Sequence, residues 1–258
     1  MSVLSYLNEL SSTITIPDWE RTTIDTSINS LSTKLGNYFD NIESKFVFGS
    51  FDRKTILRRS RDSNSDVDYM ISFTDGADWT PQTLMNRLKR FAEANYSKNE
   101  IYQSSPTIVL VLGHIKFELV PAYHTWGGTY HIPAPASSYS TWIDSYPNAM
   151  RKNLNDKNRD NNYEIRKLVR LLKYWNVLNG KVYSSYELEK YVIDKFFYFC
   201  TNQKEYFFQA VEGLPTYGLP YYKESKVNSL KTKVANTKKY EQDNMPYTAE
   251  SEIKKVFE

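Results

Sequence analysis

A chain of 258 residues that is 40% hydrophobic and 15% aromatic can build a substantial core, as one large domain or two intimate ones. Its one cysteine, Cys200, excludes an intrachain disulfide, and a net charge of +3 creates no global demand for a polyanionic partner. Met1 to Leu10 lacks a basic stretch followed by a long apolar core, and the longest apolar run, around Ile108 to Leu112, is far too short to span a bilayer; the expectation is a soluble cytoplasmic protein with no membrane partner.

Residues 19–40 read as an amphipathic helix, because Ile24, Ile28, Leu31, Leu35 and Phe39 recur at three- and four-residue spacing after Pro17-Asp18. Lys45-Phe46-Val47-Phe48 is a short strand ending at Gly49-Ser50. Asp66 to Phe73 is a second strand, with Val67, Tyr69 and Ile71 on the face opposite Asp66 and Asp68. Thr80 to Asn95 is a helix opened by Thr80-Pro81. Strands follow at Thr107–Leu112 and His114–Val120, joined at Gly113, with Pro121 closing the second.

Beyond Ala122, residues 123–150 are rich in Pro, Ser, Gly, Tyr and Trp and suggest an ordered loop crossing between lobes. From Asn161 the pattern is helical. Ile165, Leu168, Val169, Leu172 and Trp175 line one face, and Ser185 caps a further helix that buries Leu188, Val192 and Phe196. Cys200, in the aromatic run Lys195 to Cys200, reads as a buried helix position. After the breaker-rich connection Gly213 to Pro220, two basic, polar helices complete the chain. The expected division is residues 1–150, an α/β catalytic lobe with an N-terminal helix and the crossing loop, and residues 151–258, an α-helical lobe, with a cleft between them.

The chemistry lies in three carboxylates and a bend. Positions i and i+2 of a strand share a face, so Asp66 and Asp68 present both carboxylates to one surface, and Glu118 does likewise while Phe117 and Leu119 turn inward. Hard oxygen ligands clustered in this way suit Mg²⁺ or Mn²⁺. With two ions, one lowers the pKa of an attacking hydroxyl and the other stabilises a leaving pyrophosphate. Asp-x-Asp alone marks a surface turn more often than a metal site, but here it is embedded in an apolar strand. Gly49-Ser50 is unspecific alone; after a strand, its glycine lets backbone approach a phosphate, and Ser50 adds a donor.

Two basic series accompany the site: Arg53, Lys54, Arg58, Arg59 and Arg61, and then Arg159, Arg166, Lys167, Arg170 and Lys173. Taken alone these are solvated faces; beside a phosphate-binding bend, part of the charge is expected to face polyanions. Tyr123, Trp126, Tyr174 and Tyr186 are candidates to stack on a nucleobase, with core packing the competing role for Tyr174. His114, His124 and His131 form no i, i+4 metal pair and read as structural or substrate-edge residues.

The stretch from Gly49-Ser50-Phe51-Asp52-Arg53-Lys54-Thr55 through Ser65-Asp66-Val67-Asp68-Tyr69-Met70-Ile71 resembles the DNA polymerase β-like nucleotidyltransferase superfamily. Within it the chain is most similar to the oligoadenylate-synthase and cGAS-like group, which includes the bacterial cyclic-oligonucleotide synthases of antiphage operons. Phe117-Glu118-Leu119-Val120-Pro121-Ala122 matches the strand of the third metal ligand. Leu171 to Asn176 and Ser184 to Glu189 match two segments of the helical lobe.

The resemblance implies an α+β fold, a mixed twisted sheet with helices plus a C-terminal helical lobe. It also implies catalytic metal ligands Asp66, Asp68 and Glu118, and nucleotide contacts from Gly49, Ser50, Lys173 and Ser185. Read as residues alone, Lys173 is a solvated helix lysine and Ser185 an N-cap. The implied activity joins nucleoside triphosphates into a short cyclic or linear oligonucleotide signal in antiphage defence, with an operon-encoded effector as partner. Two other readings stand beside it: template-independent polymerisation or tailing on a nucleic-acid, oligonucleotide or protein hydroxyl, and an inactive nucleotide-binding homologue. The group usually carries Asp as the third acid; the extra methylene of Glu118 shifts its oxygens by about 1.5 Å, which can cost roughly a hundredfold in rate.

Overall fold

The computed structural model describes residues 2–104, 106–135 and 141–258. The chain divides into two compact units: one comprises Ile16–Arg59 and Ser63–Lys152, the other the N-terminal residues through Thr15, Ser60–Asp62 and Asn153–Glu258. The first helix of the chain, α1 (Val3–Thr13), is therefore counted with the C-terminal helices rather than with the lobe expected over residues 1–150.

The first unit is a sheet with helices on one face. Helix α2 (Asp18–Tyr38) places Asp18 and Glu20 in its first turn, where carboxylates favour the helix dipole, and buries Ile24, Leu31 and Leu35. Strand β1 (Ile42–Val47) and the single turn α3 (Gly49–Asp52) lead to β2 (Asp66–Phe73). Thr80 caps α4 (Pro81–Asn95), with Pro81 where its missing N–H costs nothing. Strands β3 (Glu100–Ser104), β4 (Thr107–Val111) and β5 (Lys116–Thr125) follow.

The order in the sheet is β1-β2-β5-β4-β3, with β2 and β5 parallel and the other pairs antiparallel. Val67, Tyr69, Ile71, Phe73, Phe117 and Leu119 form one core with Leu31, Leu35, Leu84, Leu88 and Phe91 of the helices. The alternation of β2 and β5 puts these side chains on one face and the acids on the other, where Met70, Val120 and Ala122 are buried further along the strands.

Two sequence expectations fail in this unit. Pro121 does not close β5, which continues to Thr125. The antiparallel pairing with β4 ends at Leu119 and that with β6 (Thr129–Pro133) begins at Tyr123, so the missing N–H of Pro121 interrupts neither ladder. The segment 123–150 is also more regular than a crossing loop. It contains β6, β7 (Trp142–Ser145) and the start of α5 (Pro147–Arg159), with β6 paired between β5 and β7.

The helical unit adds α6 (Ile165–Leu178), α7 (Ser185–Asp194), α8 (Gln203–Glu212), α9 (Tyr221–Gln242) and α10 (Pro246–Lys254). Its core includes Leu7, Leu168, Val169, Leu172, Val192, Phe207, Val227 and Ile253, and Tyr174 stacks on Phe257 at 6.0 Å. The aromatic run does not continue α7: the helix stops at Asp194, Phe196, Tyr198 and Phe199 are exposed, and Cys200 is half-buried outside any helix. The Tyr198 backbone is instead fixed from both sides by the Gln209 amide, which accepts from its N–H and donates to its carbonyl.

Lysines of this unit close exposed helix ends. Lys226 donates to the Asn179 carbonyl at the end of α6, Lys231 to Leu214 beyond α8, and Lys157 to Lys195 beyond α7. Lys173 is buried on α6 and paired with buried Glu189 of α7 at 2.9 Å. Truncating one member removes this charge partner from the other in a dry interior, at a cost of about 3–5 kcal/mol, whereas an apolar pair of similar volume is tolerated. Lys173→Met should therefore sharply lower the thermal midpoint, and Lys173→Met with Glu189→Leu should recover most of the loss; calorimetry of the three proteins checks this.

Candidate active site

The site is built where β1 ends. The Phe48 N–H donates to the Asp68 carbonyl at 3.0 Å, which locks the end of β1 against β2. Gly49 follows at φ +68°, and a Cβ there would lie 1.7 Å from Oδ2 of Asp68. Only glycine combines that left-handed backbone with that open space. The helix after it is a single turn: the Ser50 carbonyl accepts from both the Thr55 and Ile56 amides at 2.9 and 3.1 Å, and the chain leaves. Four residues sum to little macrodipole, so any grip on an anion here comes from individual amides and the half-buried Ser50, not from a long helix.

The return to β2 is pinned by the buried Ser65, whose hydroxyl donates to the Leu57 carbonyl at 2.7 Å. Asp66 and Asp68 then emerge half-buried on the face opposite the core. Parallel pairing sets Asp66 beside Lys116 and Asp68 beside Glu118, so three acids and one lysine occupy the same face of two adjacent strands.

Glu118 is half-buried and pushed up to about 7, first by burial and then by the charge and hydrogen bond of Asp66; Thr107 and Lys116 pull the other way. Asp66 and Glu118 are thus in contact across the strand pair. Among the described residues, however, no three His, Cys, Asp or Glu side chains are grouped closely enough to hold a metal ion. The acids share a face without closing into a common ligand set. As donors they fit a hard divalent cation: all are carboxylate oxygens, and the like charges that raise Glu118 are what a cation would offset.

The remaining expected contacts belong to the helical unit. Lys173 is in its buried pair with Glu189, not on a solvated face. Ser184, rather than Ser185, caps α7, in a reciprocal capping box with Glu187. Ser185 is the exposed first residue of that helix, where its amide lacks an intrahelical acceptor.

The basic series are divided. Arg53 is buried, the Arg59 amide meets Glu20, and Arg61 lies 5.8 Å over the Tyr174 ring, within the helical unit. In the second series, Arg159 pairs with Asp156 and Asp160, Lys167 with Glu164 and Lys173 with Glu189. These three charges are paired inside their own unit.

Tyr174 is buried, Tyr123 is stacked on His131, and Trp126 and Tyr186 are exposed. Each histidine ties elements together, His114 to Ser27, His124 to Glu43 and His131 to Asp144. Lys116 was missed by sequence reasoning; its place two residues before Glu118 on an alternating strand was the available signal.

Residues 1–158 match the model of the Second Messenger Oligonucleotide or Dinucleotide Synthetase domain. A Bacillus cereus (strain VD146) protein named "Probable cyclic nucleotide synthase" is 26% identical over 186 residues, 58% of this chain and 54% of its own length, so the chain spans about half of that curated relative. Among solved structures, Escherichia coli MS115-1 CdnC with ATP has a TM-score of 0.74 at 13% identity, covering 100% of this chain and 98% of that one. Bradyrhizobium diazoefficiens CdnG with GTP gives 0.72 at 10% identity, with coverages of 97% and 96%. Vibrio cholerae DncV, a cyclic AMP-GMP synthase with nonhydrolyzable GTP, gives 0.67 at 14%, with coverages of 83% and 68%. At these identities the structural likeness establishes the fold, a mixed α+β architecture of the polymerase β-like kind. No helix of the described residues is long and apolar enough to cross a membrane.

Two outcomes test this geometry. Gly49→Ala should lower stability by about 1–2 kcal/mol from backbone strain alone, and more because Asp68 must move; chemical denaturation measures it. Glu118 folds with its pKa raised from 4.5 to about 7, so its protonated form favours the native state; that stability is present below about pH 4.5 and lost as pH rises through about 7. Denaturation midpoints of wild type and Glu118→Gln should therefore diverge between about pH 4.5 and 7, the variant gaining, and run parallel above.

Proposed function

This chain belongs to the Second Messenger Oligonucleotide or Dinucleotide Synthetase domain family, and from that membership we propose that it is a nucleotidyltransferase joining nucleoside triphosphates into a short cyclic or linear oligonucleotide signal in antiphage defence. A hydroxyl oxygen attacks the α-phosphorus of a triphosphate, the new P–O bond forms as the bond to pyrophosphate breaks, and the hydroxyl proton is lost to solvent. Asp66, Asp68 and Glu118 are the residues that would hold two Mg²⁺ or Mn²⁺ ions, which when bound lower the hydroxyl pKa and screen the pyrophosphate charge. Glu118 must first give up its proton and leave its contact with Asp66.

The observation that carries this reading is three carboxylates on one face of β2 and β5 beside a glycine that no other residue can replace. Gly49 and Ser50 admit the phosphates. Lys173 holds α6 to α7 through Glu189. The relative named as a cyclic nucleotide synthase and the neighbours with ATP and GTP support triphosphates as substrates.

A second reading, nucleotide binding without turnover, is favoured by the Asp66–Glu118 contact and by the open ligand set. Asp66→Ala with Asp68→Ala should reduce pyrophosphate release from labelled triphosphates by roughly 10³-fold. An inactive wild type that gains robust turnover on Glu118→Asp would favour the second reading. Phosphatase treatment followed by mass spectrometry separates resistant cyclic products from linear ones.

A further inference from the structure

The long third acid poses a physical problem that the neighbouring strand addresses. Val109 of β4 is the partner of Glu118 in the antiparallel register, and Thr107 lies two residues along on the same face. That is a diagonal cross-strand position, within reach of a long side chain but not of a short one. Thr107 is buried, and its Oγ1 lies 3.4 Å from Oε2 of Glu118. The same hydroxyl is 3.0 Å from the Ser104 carbonyl, at the end of β3, which fixes where it points. Its one proton serves both acceptors in competition, so the bond to Glu118 is long, and Ser104 keeps the hydroxyl in place.

We propose that Thr107 is a positioning residue that keeps the carboxylate of Glu118 on the face it shares with Asp66 and Asp68 when it leaves its contact with Asp66, and so compensates for the extra methylene. An aspartate at 118 would end about 1.5 Å short and lose the contact. Thr107 and the longer acid therefore form one functional unit: the hydroxyl matters only while Glu occupies position 118. This rests on the reading of Glu118 as a metal ligand.

A double-mutant cycle tests it, using the full chain, Mn²⁺ alone as probe and electron paramagnetic resonance for binding, with turnover measured separately. Thr107→Val keeps the shape and removes the hydroxyl; it should weaken Mn²⁺ binding roughly 3- to 10-fold and lower kcat with KM unchanged. Thr107→Ser, which restores the hydroxyl, should recover most of the affinity. In a Glu118→Asp background, Thr107→Val should change affinity by less than about 2-fold. Equal losses in both backgrounds, no loss in wild type, or a serine variant as weak as the valine one would each overturn the proposal.

If wild type binds Mn²⁺ but makes no oligonucleotide, the proposed function fails while the binding cycle still decides the role of Thr107. If wild type binds no Mn²⁺, crystal structures of wild type and Thr107→Val decide it. A Glu118 carboxylate that swings away in the variant supports the positioning role, and one that stays in place overturns it.

Discussion

The parallel pairing of β2 with β5 is the constraint on which the site depends. Asp68 and Glu118 are fifty positions apart in the chain, and the register alone makes them neighbours. A slip of one residue would turn Glu118 into the core and Phe117 out to the acids, because side chains alternate with a period of two. The register is held by the buried set Val67, Tyr69, Ile71, Phe117 and Leu119, which packs against the helices on one face. Hydrophobic burial therefore places the carboxylates, although none of them contributes to it.

That placement concentrates like charge. Asp66 and Glu118 meet in a half-buried setting, and the raised pKa of Glu118 is the electrostatic consequence. The bend at Gly49 adds a second constraint. The space of its missing side chain is taken by the Asp68 carboxylate, so the backbone of the bend and the acid are fitted to each other atom to atom.

The helical unit manages charge in the opposite way. Its lysines turn inward to helix-end carbonyls, as Lys157, Lys226 and Lys231 do, or to a buried partner, as Lys173 does. A basic sequence thus becomes a set of staples. Net charge said nothing of this, because composition counts ammonium groups without counting the carbonyls that need them.

By itself the sequence determined the sheet lobe's main elements: Asp66–Phe73, the helix after Thr80-Pro81, the hairpin at Gly113 and the shared face of Asp66 and Asp68. Periodicity and capping are local properties, and local physics suffices for them. The motif order likewise placed the chain among nucleotidyltransferases. Only tertiary structure decided what depends on distant partners: the continuation of β5 past Pro121, the strands within 123–150, the exposure of Phe196, Tyr198 and Phe199, and the burial of Lys173 against Glu189. A lysine on a helix looks the same in one dimension whether it faces water or a buried glutamate, and the hydroxyl of Thr107 gains meaning only when β4 lies beside β5. Those are contacts between segments, and their free energy exists only once the segments have met.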